Sequence, residues 1–270
     1  MTFSKARAGA FFGAVPAAGL AWGWFEAGWV RFRRIELPID GLEEELRVVH
    51  LSDFHLGIPS RGSHAVSRAV AWTAEREPDL VCVTGDLVSR PRGERALRDL
   101  LASVMRCYVV LGNHDVEHSR DPFSRSAGLR ELEPARLLVD DAASITIRNT
   151  SVQIVGVDPR TYRTRRSRPW QLVDAEADLR ILLCHFPRVF DTLPPDSFDL
   201  VLAGHMHDGQ ISLPLPRDKL RLAHMRARFT TGLYRRGGMW MHVSPGLGTT
   251  FVPFRFYARP EATELVLQPA

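Results

Sequence analysis

Five short apolar runs, each stopping abruptly at Asp, His or Asn, constrain this chain more than any other feature of its sequence. Arg47–Leu51 runs into Ser52-Asp53-Phe54-His55, Leu80–Thr84 into Gly85-Asp86, and Tyr108–Leu111 into Gly112-Asn113-His114-Asp115. Arg180–Cys184 then runs into His185, and Asp199–Ala203 into Gly204-His205-Met206-His207. The runs are short and mostly β-branched or aliphatic, which reads as buried strands. Helical patterns over Ser63–Arg76 and Arg92–Val104 connect the first three, as parallel strands require. Ser144–Ile147 and Val152–Val157 are two further strands, pivoting on Asn149-Thr150-Ser151 like a hairpin, and 231–243 pivots on Gly237-Gly238. The rhythm is therefore α/β with mixed rather than purely parallel sheets. In open α/β sheets the functional crevice lies outside the carboxyl ends of the strands, so the five polar strand ends can converge on one place. Gly85, Gly112 and Gly204 permit the sharp turns needed there.

Asp53, His55, Asp86, Asn113, His185, His205 and His207 offer oxygen and nitrogen ligands in excess of one tetrahedral site. Two metals sharing a carboxylate is the economical reading, because so many polar groups gathered without cations would have to be neutral or separately paired. Imidazole, carboxylate and amide without thiolate point to Mn, Fe, Co or Zn rather than Ca or a structural zinc.

The 45% hydrophobic content excludes a disordered or fibrous chain. The formal charge of +4 comes almost wholly from dispersed arginine, since Lys5 and Lys219 are the only lysines, and does not call for nucleic acid. Cys82, Cys107 and Cys184 form neither a disulfide framework nor a zinc knuckle and read as small buried hydrophobes. Residues 1–34 form an N-terminal unit. Its Ala10–Val30 stretch holds a single charge, Glu26, and three tryptophans suited to a membrane interface. It reads as a membrane anchor, with a cleaved export signal or a packed apolar helix as alternatives. Arg31, Arg33 and Arg34 after it, against Lys5 and Arg7 before it, lean toward a cytoplasmic catalytic domain. Residues 35–45 read as connector and 46–270 as one domain.

The ordered set Asp53-x-His55, Gly85-Asp86, Gly112-Asn113-His114-Asp115, His185 and Gly204-His205-x-His207 resembles the calcineurin-like metallophosphoesterases. Within them, Ala203–Gln210 and Gly246-Leu247-Gly248-Thr249 look most like a bacterial membrane-associated branch of the YkuE and YaeI type. The resemblance implies a four-layer αββα sandwich of two mixed β-sheets flanked by helices. It further implies that Asp53, His55 and His207 hold one divalent metal, that Asn113, His185 and His205 hold a second, and that Asp86 bridges both. A bridging hydroxide would attack phosphorus, with His114, oriented by Asp115, assisting the leaving oxygen. The implied substrate is a phosphoester, a lipid-linked phosphodiester or pyrophosphate above all. A phosphomonoesterase, a nuclease and a non-catalytic binding scaffold are the alternatives.

Two residues depart from the branch pattern: Asp208, where a second glycine is usual, and Phe186, where Asn usually follows the metal-binding histidine. The first would add a carboxylate near the metals; the second would remove a polar support or change packing. His50, His64, His118, His224 and His242 fit no block, although His224 could line a substrate pocket. The arginines of 160–168 read as a solvated loop, and 213–216 and 251–254 as core, turn or an apolar rim.

Overall fold

The computed structural model describes residues 17–116 and 119–270. Of the apolar N-terminal run, residues 17–26 form helix α1; the part before residue 17 lies outside the described residues, as does His118. Among the described residues no helix is long and apolar enough to cross a membrane.

The strands follow as β1 (Arg31–Ile39), β2 (Leu46–Leu51), β3 (Leu80–Thr84), β4 (Cys107–Val110), β5 (Arg136–Leu137), β6 (Asp141–Ile147) and β7 (Thr150–Gly156). After them come β8 (Leu179–Leu183), β9 (Leu200–Ala203), β10 (Ser212–Pro214), β11 (Lys219–Arg221), β12 (Gly232–Arg236), β13 (Met239–Val243) and β14 (Glu261–Pro269). They build two six-stranded mixed sheets, ordered β1-β14-β2-β3-β4-β5 and β12-β13-β9-β8-β7-β6, with β10 and β11 as a separate hairpin. Side chains alternate in direction along each strand. Val48, Cys82 and Val110 of the first sheet therefore meet Ile154, Ile181 and Leu202 of the second in a shared core. The opposite face of the first sheet packs on helices α2 (Gly62–Arg76) and α3 (Glu94–Leu101) through Val49, Val81, Ala65, Ala69 and Leu97. The outer face of the second carries Leu182, Val201 and Met241 against Val189, Phe190 and Phe198. That fourth layer consists of short helical turns, Pro169–Leu172, Pro187–Asp191 and α4 (Pro159–Arg163). The sandwich of two mixed sheets with helices outside is the α/β architecture expected.

One expectation is corrected. Residues 35–39 are not connector, because β1 runs nine residues and pairs in parallel with β14, Arg31 opposite Glu261 through Ile39 opposite Pro269. Leu37 and Ile39 turn into the inter-sheet core with Ile35 packed against it, while Arg34, Glu36 and Pro38 face out. Proline is tolerated because β1 is an edge strand.

Two buried histidines meet between the sheets. His50 of β2 and His242 of β13 lie Nδ1 to Nδ1 at 2.7 Å, and His50 Nε2 is 2.8 Å from Thr84 Oγ1. Burial holds His50 down to about 3, against the opposing pull of Asp53, and burial together with His50 holds His242 well below its ordinary value. The unfolded chain thus binds protons near pH 6.5 that the folded chain refuses, so stability is lost as pH falls below about 6.5. Each histidine steepens that loss by up to about 1.4 kcal/mol per pH unit. Urea midpoints measured from pH 7.5 to 5.0 should show the slope, and a His50→Gln, His242→Gln double variant should flatten it; equal slopes would exclude the pair as its source.

Candidate metal centre

The ends of β2, β3, β4, β8 and β9 deliver the predicted residues to one place across the carboxyl edges of both sheets. Asp53, His55 and His207 offer ligand atoms within 4.8 Å of one another; so do Asp86, His185 and His205, and a third overlapping group joins His55, Asp86 and His114. Asp86 belongs to two of the three groups, as a bridging carboxylate would. All these side chains are buried except that of His205, which is half-buried. Asn113 joins the second group, with its Oδ1 3.2 Å from His185 Nε2.

The backbone is bent to achieve this. Asp53, His55, Asp86, His205 and His207 all adopt left-handed conformations, with φ between +47° and +74°. Such conformations are uncommon for residues other than glycine and cluster at functional sites. Gly112 is required in the literal sense, since a Cβ there would fall on the Asp86 carboxylate.

Hydrogen bonding tests whether cations fit. His185 Nδ1 lies 2.7 Å from the Thr84 carbonyl, which can only accept, so Nδ1 donates and Nε2 carries a lone pair in the neutral ring. That lone pair faces the Asp86 carboxylate at 3.3 Å, Asn113 Oδ1 at 3.2 Å and His205 Nδ1 at 3.1 Å. On the other side His55 Nε2 is 3.0 Å from His207 Nε2, which is 3.3 Å from Asp53 Oδ1. On the His185 side acceptors thus converge on acceptors, the donor set of a divalent cation. Burial alone would raise Asp53 and Asp86, yet His207 beside the first and His185 beside the second carry both carboxyls below the usual range. His185, despite burial, is raised to about 9 by Asp86, so the carboxylate draws a positive charge to this spot. Burial lowers His55, His205 and His207, His205 to about 3, and keeps them as neutral donors.

His114 lies at the centre's edge, its ring 4.6 Å from that of His55. Its Nδ1 is 2.6 Å from Ser124 Oγ and its Nε2 2.9 Å from Ser119 Oγ. Asp115 does not orient it, contrary to expectation. Adjacent residues in this turn point apart, and the Asp115 carboxylate accepts from the N–H groups of Leu87, Val88 and Gly112. It thereby ties the loop bearing Asp86 to the loop bearing Asn113. Burial, then Asp86, push it up to about 7. Asp115→Asn should accordingly cost about 1–3 kcal/mol of stability while leaving the shape of the kcat pH profile in place; a displaced acid limb would return Asp115 to the chemistry.

The departing residues also find their places. Asp208 does not face the metal ligands; its carboxylate pairs with Lys219 and with Arg221 Nε at 3.0 Å. Phe186 packs its ring 5.1 Å from His185 and 4.8 Å from His205, stacked on Tyr162, and so braces two candidate ligands by contact. His224 lies 5.5 Å from His205 and lines a cavity of about 410 Å³ with Arg221, Arg228 and Tyr234. Nothing local in the sequence marked Ser89, bonded to His55 Nδ1 at 2.8 Å, or Arg255. Arg255 is fully buried, donates to the carbonyls of Pro245, Gly248 and Ala258, and places Nη2 3.1 Å from His207 Nδ1.

The model of the calcineurin-like phosphoesterase family matches residues 46–209, which hold all seven candidate ligands. The chain is 29% identical over 234 residues to the uncharacterized metallophosphoesterase YkoQ of Bacillus subtilis, covering 83% of this chain and 85% of that protein. It is 32% identical over 257 residues to a transmembrane protein with metallophosphoesterase domain from Danio rerio, covering 87% of this chain and 57% of that longer one. It is 27% identical over 259 residues to the phosphodiesterase YaeI of Escherichia coli, covering 91% and 89%. With its ordered ligand set gathered across the carboxyl edges of its two sheets, this chain belongs to the calcineurin-like phosphoesterase family of metal-dependent phosphohydrolases.

Proposed function

We propose that the chain hydrolyses phosphodiester or pyrophosphate bonds of a lipid-linked, membrane-proximal substrate, using two divalent ions from among Mn, Fe, Co and Zn. The observation that carries the reading is the convergence of acceptor atoms about Asp86. When bound, the cations supply Lewis acidity and a hydroxide nucleophile at neutral pH. Asp53, His55 and His207 would hold one and Asn113, His185 and His205 the other, with Asp86 available to both. His114, steadied by Ser119 and Ser124, presents Nε2 toward the leaving oxygen and delivers a proton there. The name phosphodiesterase carried by the relative YaeI supports the diester class.

A groove of about 470 Å³ beside the centre supports the lipid-linked part. It is lined by Ile58, Phe123, Phe251 and Val252 together with Arg90, Arg92 and Asp121. Ile58 is three residues from His55, Arg90 follows the serine bonded to His55, and Asp121, which accepts from the Phe251 N–H, is linked through Ser119 to His114. An amphiphile with an anionic head matches a mainly apolar lining that carries two arginines. The exposed Trp22, Trp24, Phe25 and Trp29 of the adjoining N-terminal segment, with Trp24 against Phe254, would rest at the membrane interface.

With the full chain loaded with Mn2+, p-nitrophenyl phosphodiesters bearing alkyl chains from methyl to octyl should show kcat/KM rising at least about tenfold, since each buried methylene contributes about 0.8 kcal/mol. Equal rates across the series would remove the lipid and leave the diesterase. Inactivity toward all of them, with turnover of monoesters, would remove the diester.

A further inference from the structure

A file of buried hydroxyl and imidazole groups runs from the second sheet to Asp53, and its direction can be worked out from the carboxylate end. Ser52 Oγ is 2.6 Å from Asp53 Oδ2, and an ionised carboxylate only accepts, so the serine proton points at Asp53. Ser52 Oγ therefore has its lone pairs toward Thr84 Oγ1, 2.8 Å away, and the threonine must donate. With its proton spent, Thr84 Oγ1 accepts from His50 Nε2 at 2.8 Å, which makes Nδ1 of neutral His50 the acceptor of the 2.7 Å contact with His242 Nδ1. The chain reads His242 to His50 to Thr84 to Ser52 to Asp53, every link donating toward the metal centre. All five side chains are buried, so no solvent competes for a link. The assigned direction makes His242 Nε2 an acceptor, and among the described residues it meets no donor.

We propose that this file is a positioning device for the metal centre: it holds Asp53 by Oδ2, so that Oδ1 is turned toward His207 and the cation shared with His55. The His205 backbone N–H bonds the same carboxylate, 3.0 Å from Oδ2 and 3.2 Å from Oδ1, while Oδ1 lies 3.3 Å from His207 Nε2. Without the incoming Thr84 proton, the Ser52 hydroxyl has a competing acceptor in the Thr84 carbonyl at 3.1 Å. The file thus decides which way one proton points. It also ties the geometry of a ligand on the first sheet to a histidine of the second. The inference rests on the metal-centre reading of Asp53, and its test reads metal binding apart from stability.

The test is a cycle on the full chain, with Mn2+ affinity measured by calorimetry and thermal stability recorded without metal. Ser52→Ala should weaken Mn2+ binding by about 10–100-fold, the usual cost of losing a partner behind a ligand. Thr84→Val, which keeps the branched shape, should weaken it several-fold, and Thr84→Ser, which keeps the hydroxyl, should restore it. In the Ser52→Ala background, Thr84→Val should change affinity less than about twofold, because the file is already cut. Fully additive losses, or a Thr84→Val protein that melts lower yet binds Mn2+ as the parent does, would overturn the proposal. Should no variant bind and the parent itself take up no Mn2+, the metal-centre reading falls and the positioning role with it.

Discussion

Replacing Asp86 by alanine lowers Mn2+-dependent hydrolysis of bis-p-nitrophenyl phosphate by about a thousandfold or more, a loss of about 4 kcal/mol in transition-state stabilisation. The magnitude follows from position. Asp86 Oδ2 lies 3.3 Å from His185 Nε2, 3.6 Å from His55 Nε2 and 3.9 Å from His114 Nε2, so one carboxylate faces both halves of the centre and the proton donor. Its Oδ1 accepts from the His114 backbone N–H at 2.8 Å, fixing the turn on which that donor is carried. Asp86→Asn keeps the shape but not the charge, and should lose nearly as much turnover while melting close to the parent. Either variant turning over the diester at the parental rate would defeat the metal-centre reading.

The second large effect falls on a residue with no part in the chemistry. Arg255→Met strands the carbonyls of Pro245, Gly248 and Ala258 in the interior, and buried acceptors left unpaired cost about 1–3 kcal/mol each. A destabilisation on the order of 3 kcal/mol or more is expected, which at ~2–4 °C per kcal/mol is a fall in Tm of roughly 10 °C. Mn2+ affinity should drop about tenfold besides, because the same guanidinium donates to His207 Nδ1 at 3.1 Å and fixes where that ring sits. Arg255→Lys should not restore either property, since a single ammonium cannot reproduce the planar fork that serves three carbonyls. An unchanged melting curve would show that water satisfies those carbonyls instead.

The ligand blocks were legible because a strand's apolar run and the polar residue that ends it are adjacent in sequence, and strand ends on one side of a sheet are adjacent in space. The Gly237-Gly238 hairpin was legible for the same local reason. β14 was not: Glu261, Thr263 and Glu264 are polar yet buried, offset by arginines such as Arg47 from a strand distant in sequence. β1 hid its alternation behind Pro38 and a row of outward charges. Asp115 was misread because sequence adjacency to His114 says nothing about direction in a turn where neighbouring side chains diverge. Arg255 and the file behind Asp53 join residues far apart in sequence, and no periodicity can announce such a meeting. The left-handed ligand backbones belong in the same class, since five loops force them together.

The pairing of β1 with β14 decides where this protein can be cut. The match to the family model begins at residue 46, which invites a fragment starting there. Such a fragment would strip β14 of its neighbour over nine residues, from Glu261 to Pro269, and bare a long edge with its peptide groups open to other chains. It would also discard Glu26, whose carboxylate accepts from the Ala258 N–H. A well-behaved fragment begins before α1, carrying its aromatic face with it; one begun at residue 46 will stick to itself even with every metal ligand intact.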